Sequence, residues 1–278
     1  MTNDFVQIGP ARMHYERRGK GSSIVLIHGI PTHGYLWRDV ASRLASSGHE
    51  VITIDLLGYG ASDKPEDEDL GIAAQARRVV GALERLGWSG GAVVGHDIGG
   101  GVAQLMAIDN PRLVRRLVLV DSIAYDSFPE PGIARLKDPV WDQILGAPDF
   151  DLAKGLFKGF KRGMTHTERV TEELIANYER PFRGVYGRRA YLRAARALRT
   201  EELASRSAEV EKLTTPTLLL WGREDIFQPL GYAERLAAAM PNARLHVVED
   251  AGHFLPEDEP RLVADEVEAF STISDQRE

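Results

Sequence analysis

Asp97 lies in the segment whose residue types and spacing most strongly suggest chemistry. The sequence GHDIG at residues 95–99 follows a short apolar run at 92–94 and precedes a helix predicted to begin near Ile98. Glycines on both sides of the central residue leave room for a strained turn between a strand and a helix, a pattern known as the nucleophile elbow. The helix N-terminus also stabilises an anion beside it. Because aspartate is also a common helix cap, this segment alone does not distinguish a nucleophile from a capping residue.

Three further polar segments follow predicted strands and could complete a catalytic group. The sequence HGIP at 28–31 follows the first long apolar run, Asp225 follows a later one, and His253 follows the last. Since the carboxyl ends of parallel strands meet at one edge of a sheet, these residues should lie near Asp97. The chain order is nucleophile, acid and histidine, which is the order found around a nucleophile elbow. All four segments take positions expected of a catalytic group. We therefore interpret Asp97 as a nucleophile and not merely as a helix cap.

The elements that must position these residues alternate along the chain. Six apolar runs are typical of strands covered on both faces, at residues 23–27, 51–54, 92–94, 117–120, 217–220 and 244–248. Amphipathic stretches typical of helices lie between them, at residues 37–45, 73–86 and 232–240. From about residue 122 to 213 only helix-like segments with Pro and Gly breaks are present. We therefore predict a mostly parallel sheet with helices on both faces and a helical lid inserted at about residues 123–212.

Composition restricts the class of protein. The chain has 278 residues, of which 43% are hydrophobic and 27% are charged, and it has no cysteine. Disulfides, thiolate metal ligands and a cysteine nucleophile are therefore excluded. The formal net charge of −7 argues against a nucleic-acid partner. We found no metal-ligand spacing, signal peptide or membrane span, so we expect a cytoplasmic protein that needs neither a metal nor a cofactor.

The sequence resembles the α/β-hydrolase superfamily over nearly its whole length. It is most similar to the branch with an aspartate nucleophile, which contains epoxide hydrolases, haloalkane dehalogenases and fluoroacetate dehalogenases. The resemblance rests on the Asp97 elbow and on four other segments, HGIPT at 28–32, YLWR at 35–38, DLLGYGASDKP at 55–65 and, more weakly, YERPF at 178–182. It implies an α/β-hydrolase fold with a core of residues 1–122 and 213–278 and a helical cap of residues 123–212.

An aspartate nucleophile is suited to a particular kind of reaction. A carboxylate that attacked an ester would give a reactive anhydride, whereas displacement at a saturated carbon gives an alkyl ester of the enzyme. Water deprotonated by His253 would then attack the carboxyl carbon of Asp97. The backbone N–H groups of Ile30 and Ile98 are the expected oxyanion hole for that second step.

Two acids compete to orient His253. A carboxylate in this role holds the useful tautomer of the imidazole and offsets its developing positive charge. Asp225 follows the strand after the predicted cap, which is the commoner position. Asp121 ends the strand before the cap, where some haloalkane and fluoroacetate dehalogenases carry their acid. We predict Asp225 and keep Asp121 as the alternative.

The leaving group is less clearly indicated. Haloalkane dehalogenases hold halide with a Trp after the nucleophile and a second Trp or Asn, but this chain has Ile98 and Ile30 at those positions. Fluoroacetate dehalogenases place arginines beyond the nucleophile, where this chain has Ile98 and Gly101. Epoxide hydrolases use cap tyrosines as donors to the ring oxygen. We therefore predict hydrolysis of an epoxide on a small apolar or moderately polar substrate. A haloalkane dehalogenase is the main alternative, and an esterase, a lactonase or a non-catalytic ligand receptor are further ones.

Candidate substrate-binding residues come from the cap and from the loop after the first long apolar strand. They are His28, Pro31, Trp37, Tyr125, Trp141, Tyr178, Tyr186 and Tyr191. The tyrosines could donate to a leaving oxygen, although Tyr186 and Tyr191 cannot both face one point on a regular helix. Trp141 could bind a halide through its indole N–H.

A basic cap segment could attract an anionic substrate. It contains five arginines, Arg188, Arg189, Arg193, Arg196 and Arg199. A solvated helix face accounts for them better, and we predict that interpretation.

Overall fold

The strands of this computed structural model form one eight-stranded sheet within residues 1–272, the part of the chain that the structure describes. They are β1 (Thr2–Ile8), β2 (Ala11–Arg18), β3 (Ser22–Ile27), β4 (His49–Ile54), β5 (Gly91–His96), β6 (Val114–Val120), β7 (Thr217–Gly222) and β8 (Ala243–Val248). Their order is β1-β2-β4-β3-β5-β6-β7-β8. The β1–β2 and β2–β4 pairs are antiparallel, and the other pairs are parallel. The predicted mostly parallel sheet is confirmed, and all six predicted strands are present.

Strands β1 and β2 form a hairpin that the sequence analysis did not predict. The register runs from Thr2 opposite Arg17 to Ile8 opposite Ala11. In β1 most side chains are exposed, so no apolar run marks the strand. In β2 buried and less buried residues alternate, which is the pattern of a strand with one covered face. This alternation, and not a continuous apolar run, is the signal of β2 in the sequence.

Helices occupy the intervals between the strands. They are α1 (Arg38–Ser46), α2 (Ile72–Arg85), α3 (Ile98–Asp109), α4 (Pro131–Ala134), α5 (Val140–Gly146), α6 (Leu152–Gly163), α7 (Glu172–Glu179), α8 (Gly184–Arg196), α9 (Glu201–Ala204), α10 (Ser207–Val210), α11 (Leu230–Ala239), α12 (Leu255–Asp258) and α13 (Pro260–Thr272). Short 3₁₀ helices cover Gly34–Trp37, Arg135–Lys137, Thr167–Arg169 and Arg180–Phe182. The predicted helices correspond to α1, α2 and α11, and α3 begins at Ile98 as predicted.

The central strands are covered on both faces. Residues 24–27, 117–120 and 218–221 are buried at every position, and successive side chains of a strand point to opposite faces. Helix α1 contacts α13, and α2 contacts α3, so the helices pack against one another as well as against the sheet. No helix within residues 1–272 has both the length and the apolar composition needed to cross a membrane.

Helices α4 to α10 lie between β6 and β7 and interrupt the regular alternation. The sheet resumes with β7 directly beside β6, so this segment is an insertion at the carboxyl end of β6. The predicted α/β fold with inserted helices is confirmed. The limits 1–122, 123–212 and 213–278 stay predictions, and residues 273–278 lie outside the described residues.

Candidate active site

The backbone turns sharply at Asp97, between the end of β5 and the start of α3. Its φ of 52° is in the left-handed region that a residue with a side chain rarely adopts. A Cβ atom on Gly95 would lie 2.3 Å from the carbonyl oxygen of Gly99, and one on Gly99 would lie 2.4 Å from that of Ile27. The two glycines of the GHDIG segment are therefore required by the close approach of the backbone around Asp97.

The carboxylate of Asp97 is held by backbone N–H groups. Its Oδ1 accepts a hydrogen bond of 2.9 Å from Ile30, and the N–H of Ile98 also bonds to the carboxylate. A Cβ on Gly29 would lie 2.3 Å from the same Oδ1, so only glycine allows this approach. Burial raises the pKa of Asp97, while the charge of His253 and the two N–H groups act in the opposite direction. The two predicted oxyanion donors therefore meet at the side chain of Asp97.

His253 lies between two carboxylates. Its Nδ1 is 2.9 Å from Oδ2 of Asp225, and its Nε2 is 3.8 Å from Oδ2 of Asp97. The first distance is that of a hydrogen bond and the second is too long for one. Burial lowers the pKa of His253, but the charge and hydrogen bond of Asp225 outweigh it, so the pKa is raised overall. The imidazole is thus firmly held by Asp225, and Nε2 faces Asp97.

Asp225 is itself fixed by the turn that follows β7. Its Oδ1 accepts hydrogen bonds of 2.8 Å from the N–H groups of both Phe227 and Gln228. This is an Asx-type turn, in which an aspartate side chain bonds to the backbone just ahead of it. With Oδ1 held by the turn and Oδ2 bonded to His253, the carboxylate has one orientation.

Asp121, the alternative acid, serves other partners. Its Oδ1 accepts a 2.8 Å hydrogen bond from Gly222, and its Oδ2 accepts one of 3.3 Å from Leu255. Within the described residues no hydrogen bond joins it to His253. Burial raises the pKa of Asp121 well above its ordinary value, and the charge of Asp225 adds to the effect. Asp121 therefore links the ends of β6 and β7 to the segment after His253.

A cavity of about 370 Å³ opens above Asp97. Ile30, Ile98 and His253 line it together with the cap helices, and most of its wall is apolar. Of the predicted substrate-binding residues, three line this cavity, namely Pro31, Trp141 and Tyr191. Neither the indole N–H of Trp141 nor the hydroxyl of Tyr191 has a hydrogen-bond partner within residues 1–272. Burial raises the pKa of Tyr191 to about 12, so its hydroxyl stays protonated at neutral pH.

His28 and Trp37 do not line the cavity. Nε2 of His28 accepts a hydrogen bond of 2.9 Å from the N–H of Leu56, and Nδ1 donates one of 2.9 Å to the carbonyl of Gly29. Burial lowers the pKa of His28 to about 4, so the ring is neutral and both nitrogens are occupied. Trp37 is fully buried, with its ring edge-on to His96 at 6.5 Å. Both residues pack within or beside the loop after β3 and lie outside the lining of the cavity.

Three tyrosines that the sequence suggested as donors also lie outside the lining of the cavity. The hydroxyl of Tyr178 is buried and donates to Glu257. That of Tyr125 donates to Glu211 over 3.0 Å, and the Arg235 guanidinium lies 3.5 Å from its ring centre. Tyr186 is 60% exposed and donates to the carbonyl of Lys64 over 3.0 Å. Each hydroxyl is used by a contact away from Asp97.

Several residues around His253 were not singled out from the sequence. The rings of Phe227 and Phe254 lie 5.2 and 5.0 Å from its ring. His96 donates from Nε2 to the carbonyl oxygen of His253 over 2.8 Å. Gln228 lines the cavity, and its buried Oε1 has no partner within the described residues. Proximity in sequence to Asp97, Asp225 and His253 is the one signal that could have indicated these four residues.

No group of three or more His, Asp or Glu side chains within residues 1–272 is arranged to hold a metal ion. The arrangement around Asp97 instead offers a carboxylate nucleophile, two N–H donors, and an imidazole oriented by a second carboxylate. Groups of these types can carry out nucleophilic catalysis with stabilisation of an oxyanion.

Comparisons with known proteins agree with this fold. A family model for the alpha/beta hydrolase fold matches residues 23–260. The soluble epoxide hydrolase of Corynebacterium sp. (strain C12) is 34% identical over 283 residues, covering 95% of each chain. The 2-hydroxymuconate semialdehyde hydrolase of Pseudomonas putida is 31% identical over 265 residues, covering 95% of this chain and 92% of that protein. The solved structure of the epoxide hydrolase CorEH without ligand has a TM-score of 0.84 and 30% identity, covering 97% of this chain and 98% of that one. The chain therefore belongs to the α/β-hydrolase family and is a hydrolase of that fold.

Proposed function

We propose that this protein is an epoxide hydrolase that acts through an alkyl ester on Asp97. The observation that carries the proposal is the carboxylate itself, which stands at the elbow with Oδ1 bonded to Ile30 and Oδ2 turned to His253. A serine at this position would favour acyl transfer, whereas a carboxylate is suited to attack on saturated carbon. The part of the substrate that carries the epoxide is apolar, in keeping with the apolar wall of the cavity.

In the first step Oδ2 of Asp97 attacks a carbon of the epoxide ring. The carbon–oxygen bond of the ring breaks, and its electron pair goes to the ring oxygen. Tyr191, which lines the cavity, donates a proton to this oxygen, and its raised pKa of about 12 means that the hydroxyl still carries that proton when the substrate binds. The products of the step are an alkyl ester of Asp97, a new hydroxyl group and a tyrosinate.

In the second step His253 removes a proton from water, and the hydroxide attacks the carboxyl carbon of Asp97. The N–H groups of Ile30 and Ile98 stabilise the negative charge on the oxygen of the tetrahedral intermediate, and losing one such donor typically costs about 3–4 kcal/mol. The ester bond breaks, and the diol leaves with the proton from His253. The proton of the regenerated carboxyl group returns through solvent to Tyr191. The net reaction adds one water to the epoxide.

Trp141 supports a second candidate function. Trp141 lines the same cavity, and its indole N–H has no protein partner in the described part of the chain, so it could hold a departing halide. The same Asp97 chemistry would then make a haloalkane dehalogenase. Epoxide opening is favoured because Ile98 and Ile30 supply no second side-chain donor, and because a relative named as a soluble epoxide hydrolase matches 95% of this chain.

A single turnover in oxygen-18 water tests this function. With enzyme in excess over a terminal epoxide, the oxygen added to the product comes from the carboxylate of Asp97. We expect an unlabelled diol and one heavy oxygen in the peptide that contains Asp97. Label in the first diol with an unlabelled peptide would show direct attack by water and overturn the mechanism. A parallel reaction with a bromoalkane separates the two candidates, since rapid bromide release without epoxide opening would favour the dehalogenase. The Asp97→Ala variant is the inactive control.

A further inference from the structure

We propose that the natural substrate carries a carboxylate, which binds Lys158 and Arg162 at the rim of the cavity while its apolar chain runs along α6 to Asp97. This inference rests on the proposed function, since it concerns the same cavity. It predicts an amphiphilic epoxide, with the reactive ring at one end of the bound chain and the anionic group at the other.

The three cations that line this cavity have no carboxylate partner among residues 1–272. Arg135, Lys158 and Arg162 all contribute to the wall and are exposed to solvent. Within residues 1–272 none of the three forms an ion pair or donates a side-chain hydrogen bond. The guanidinium groups of Arg135 and Arg162 lie over the faces of aromatic rings, those of Trp141 and Phe227. Their N–H donors are therefore available to a ligand.

Other arginines of the cap are occupied by the protein. Arg188 donates to the carbonyls of residues 145 and 147, Arg193 donates to the carbonyl of Lys64, and Arg196 forms an ion pair with Asp142. These side chains belong to α8, the basic segment that the sequence analysis considered for anion binding. They hold cap elements in place, so the charge available to a substrate lies on α6 and beside α4.

One face of α6 combines the two cations with two glycines. Gly155, Lys158, Gly159 and Arg162 are spaced i, i+3, i+4 and i+7, which places them on one side of a helix. All four line the cavity. Like charges four residues apart repel and destabilise a helix. Lys158 and Arg162 are therefore expected to destabilise α6, because no acidic side chain within residues 1–272 pairs with either of them. An anionic substrate would offset this repulsion.

The glycines of this face are not required by packing. A Cβ on Gly155 or Gly159 would meet no atom within 4 Å. At Gly163, one turn later, a Cβ would lie 2.7 Å from the ring of Phe227, so packing does account for that glycine. Glycine in the middle of a helix is less stable than alanine. We infer that Gly155 and Gly159 leave room for the chain of the substrate.

The negative charges around His253 favour one direction of binding. Glu130 lines the cavity, and its carboxylate accepts a 3.2 Å hydrogen bond from the N–H of Ile133. Glu130 and Arg135 act on Tyr191 with opposite signs, whereas the charges that act on His253, including that of Glu130, are negative. A second carboxylate near the reaction centre would be repelled by Glu130 and by Asp97. The anionic end of a substrate is therefore stabilised at α6, and the neutral epoxide lies at Asp97.

Matched substrates test the carboxylate. The first is a terminal epoxide whose alkyl chain ends in a carboxylate, and the second is its methyl ester. In the unsubstituted enzyme we expect a KM about three- to tenfold lower for the acid, the range for one or two exposed charge pairs. Added salt should reduce this ratio. Lys158→Gln combined with Arg162→Gln should bring the ratio of the two KM values close to one. Because both are measured on the same variant, a change in folded fraction cancels.

The control substitution lies on the same helix. Lys154 is exposed, pairs with Asp151 at 3.5 Å and does not line the cavity, so Lys154→Gln should keep the parental ratio. Equal KM values for acid and ester in the unsubstituted enzyme would overturn the inference. So would a Lys154→Gln variant in which the ratio of the two KM values falls as close to one as in the double variant.

A binding measurement separates this inference from the proposed function. Calorimetric titration with decanoate and decanol requires no turnover. Tighter binding of decanoate that depends on Lys158 and Arg162 would support the inference even if no epoxide were opened. Equal binding of the two compounds would overturn it, while hydrolysis of neutral epoxides would leave the proposed function in place.

Discussion

The Nε2 atom of His253 lies 3.8 Å from Oδ2 of Asp97, beyond the length of a hydrogen bond. A serine nucleophile must give its proton to the histidine, which requires contact between them. An ionised aspartate has no proton to give, so this separation does not hinder its attack. In the proposed mechanism, His253 therefore acts in the hydrolysis of the ester and not in its formation.

Replacing His253 with alanine should therefore separate the two steps. We expect alkylation of Asp97 to continue and release of the product to stop, because only the second step needs a base. Intact-protein mass spectrometry after incubation with an epoxide should show the enzyme carrying the mass of one substrate. The Asp97→Ala, His253→Ala double variant should carry none. Normal turnover by His253→Ala, or the absence of an adduct with a substrate that the parent consumes, would show that the roles are wrongly assigned.

The two buried acids should respond differently to substitution by asparagine. Asp225→Asn removes the charge that holds His253, and we expect ester hydrolysis to slow by about 10³–10⁴-fold. Asp121→Asn places an amide group against the N–H of Gly222 or Leu255, which should cost about 1–3 kcal/mol of stability with a much smaller effect on the rate. Single-turnover rates and denaturant unfolding measure the two effects. If Asp121→Asn slowed ester hydrolysis more than Asp225→Asn does, Asp121 and not Asp225 would be the carboxylate that orients His253.

The ionisation of His253 predicts the pH dependence of the second step. Hydrolysis needs the neutral imidazole, and the pKa of His253 is raised above its ordinary value of 6.5, mainly by Asp225. Esterification removes the charge of Asp97 but not that of Asp225. The hydrolysis rate should therefore fall as the pH decreases through this raised pKa. Alkylation needs ionised Asp97. Burial raises the pKa of this carboxyl group, but from an ordinary value of 3.8, against 6.5 for the imidazole, so adduct should accumulate where His253 is protonated and Asp97 is still ionised. Rapid-quench measurements of adduct against pH test this, and a hydrolysis rate independent of pH between about 5 and 8 would contradict it.

The catalytic edge of the sheet could be predicted because its residues follow local rules. A strained turn needs Gly95 and Gly99, and parallel strands bring Asp97, Asp225 and His253 to one edge. Which of Asp225 and Asp121 orients His253 was less clearly indicated by the sequence, since both follow strands. It depends on which carboxylate reaches the histidine ring, which only three-dimensional packing determines.

The cap was harder to predict because its side chains have partners distant in sequence. Tyr178 meets Glu257, which also forms an ion pair of 2.6 Å with Arg38. Tyr186 meets the carbonyl of Lys64. No spacing within the cap reveals these contacts. Tyr191 was one of several equivalent candidates in the sequence, and only the structure places it at the cavity.

Tyr191 and Trp141 should affect different leaving groups. Tyr191→Phe removes the proposed acid, and we expect epoxide opening to slow by about 10²-fold or more, the lower range for a general acid. Trp141→Phe should slow bromide release more than epoxide opening, because it removes a halide donor. Tyr186→Phe is the matched control, since that hydroxyl lies outside the cavity and its loss should change neither rate. Adduct formation measured by mass spectrometry reports the first step directly. Equal rates in Tyr191→Phe and Tyr186→Phe would exclude Tyr191 as the donor.

The Gly159→Ala variant tests protein stability and substrate access together, because it adds a single methyl group. Its Cβ would meet no protein atom within 4 Å, so Gly159→Ala should gain the helix preference of alanine, about 0.5–1 kcal/mol. The same methyl group enters the face of α6 that we assign to the substrate chain. We expect a higher denaturant midpoint together with a lower kcat/KM for long-chain epoxides and little change for short ones.

Gly163→Ala is the contrasting variant, because its Cβ would lie 2.7 Å from Phe227 and should destabilise the protein. A stability gain in Gly159→Ala without any change in chain-length preference would mean that the substrate does not pass along this face. A loss of stability would instead mean that packing around α6, and not access, requires the glycine.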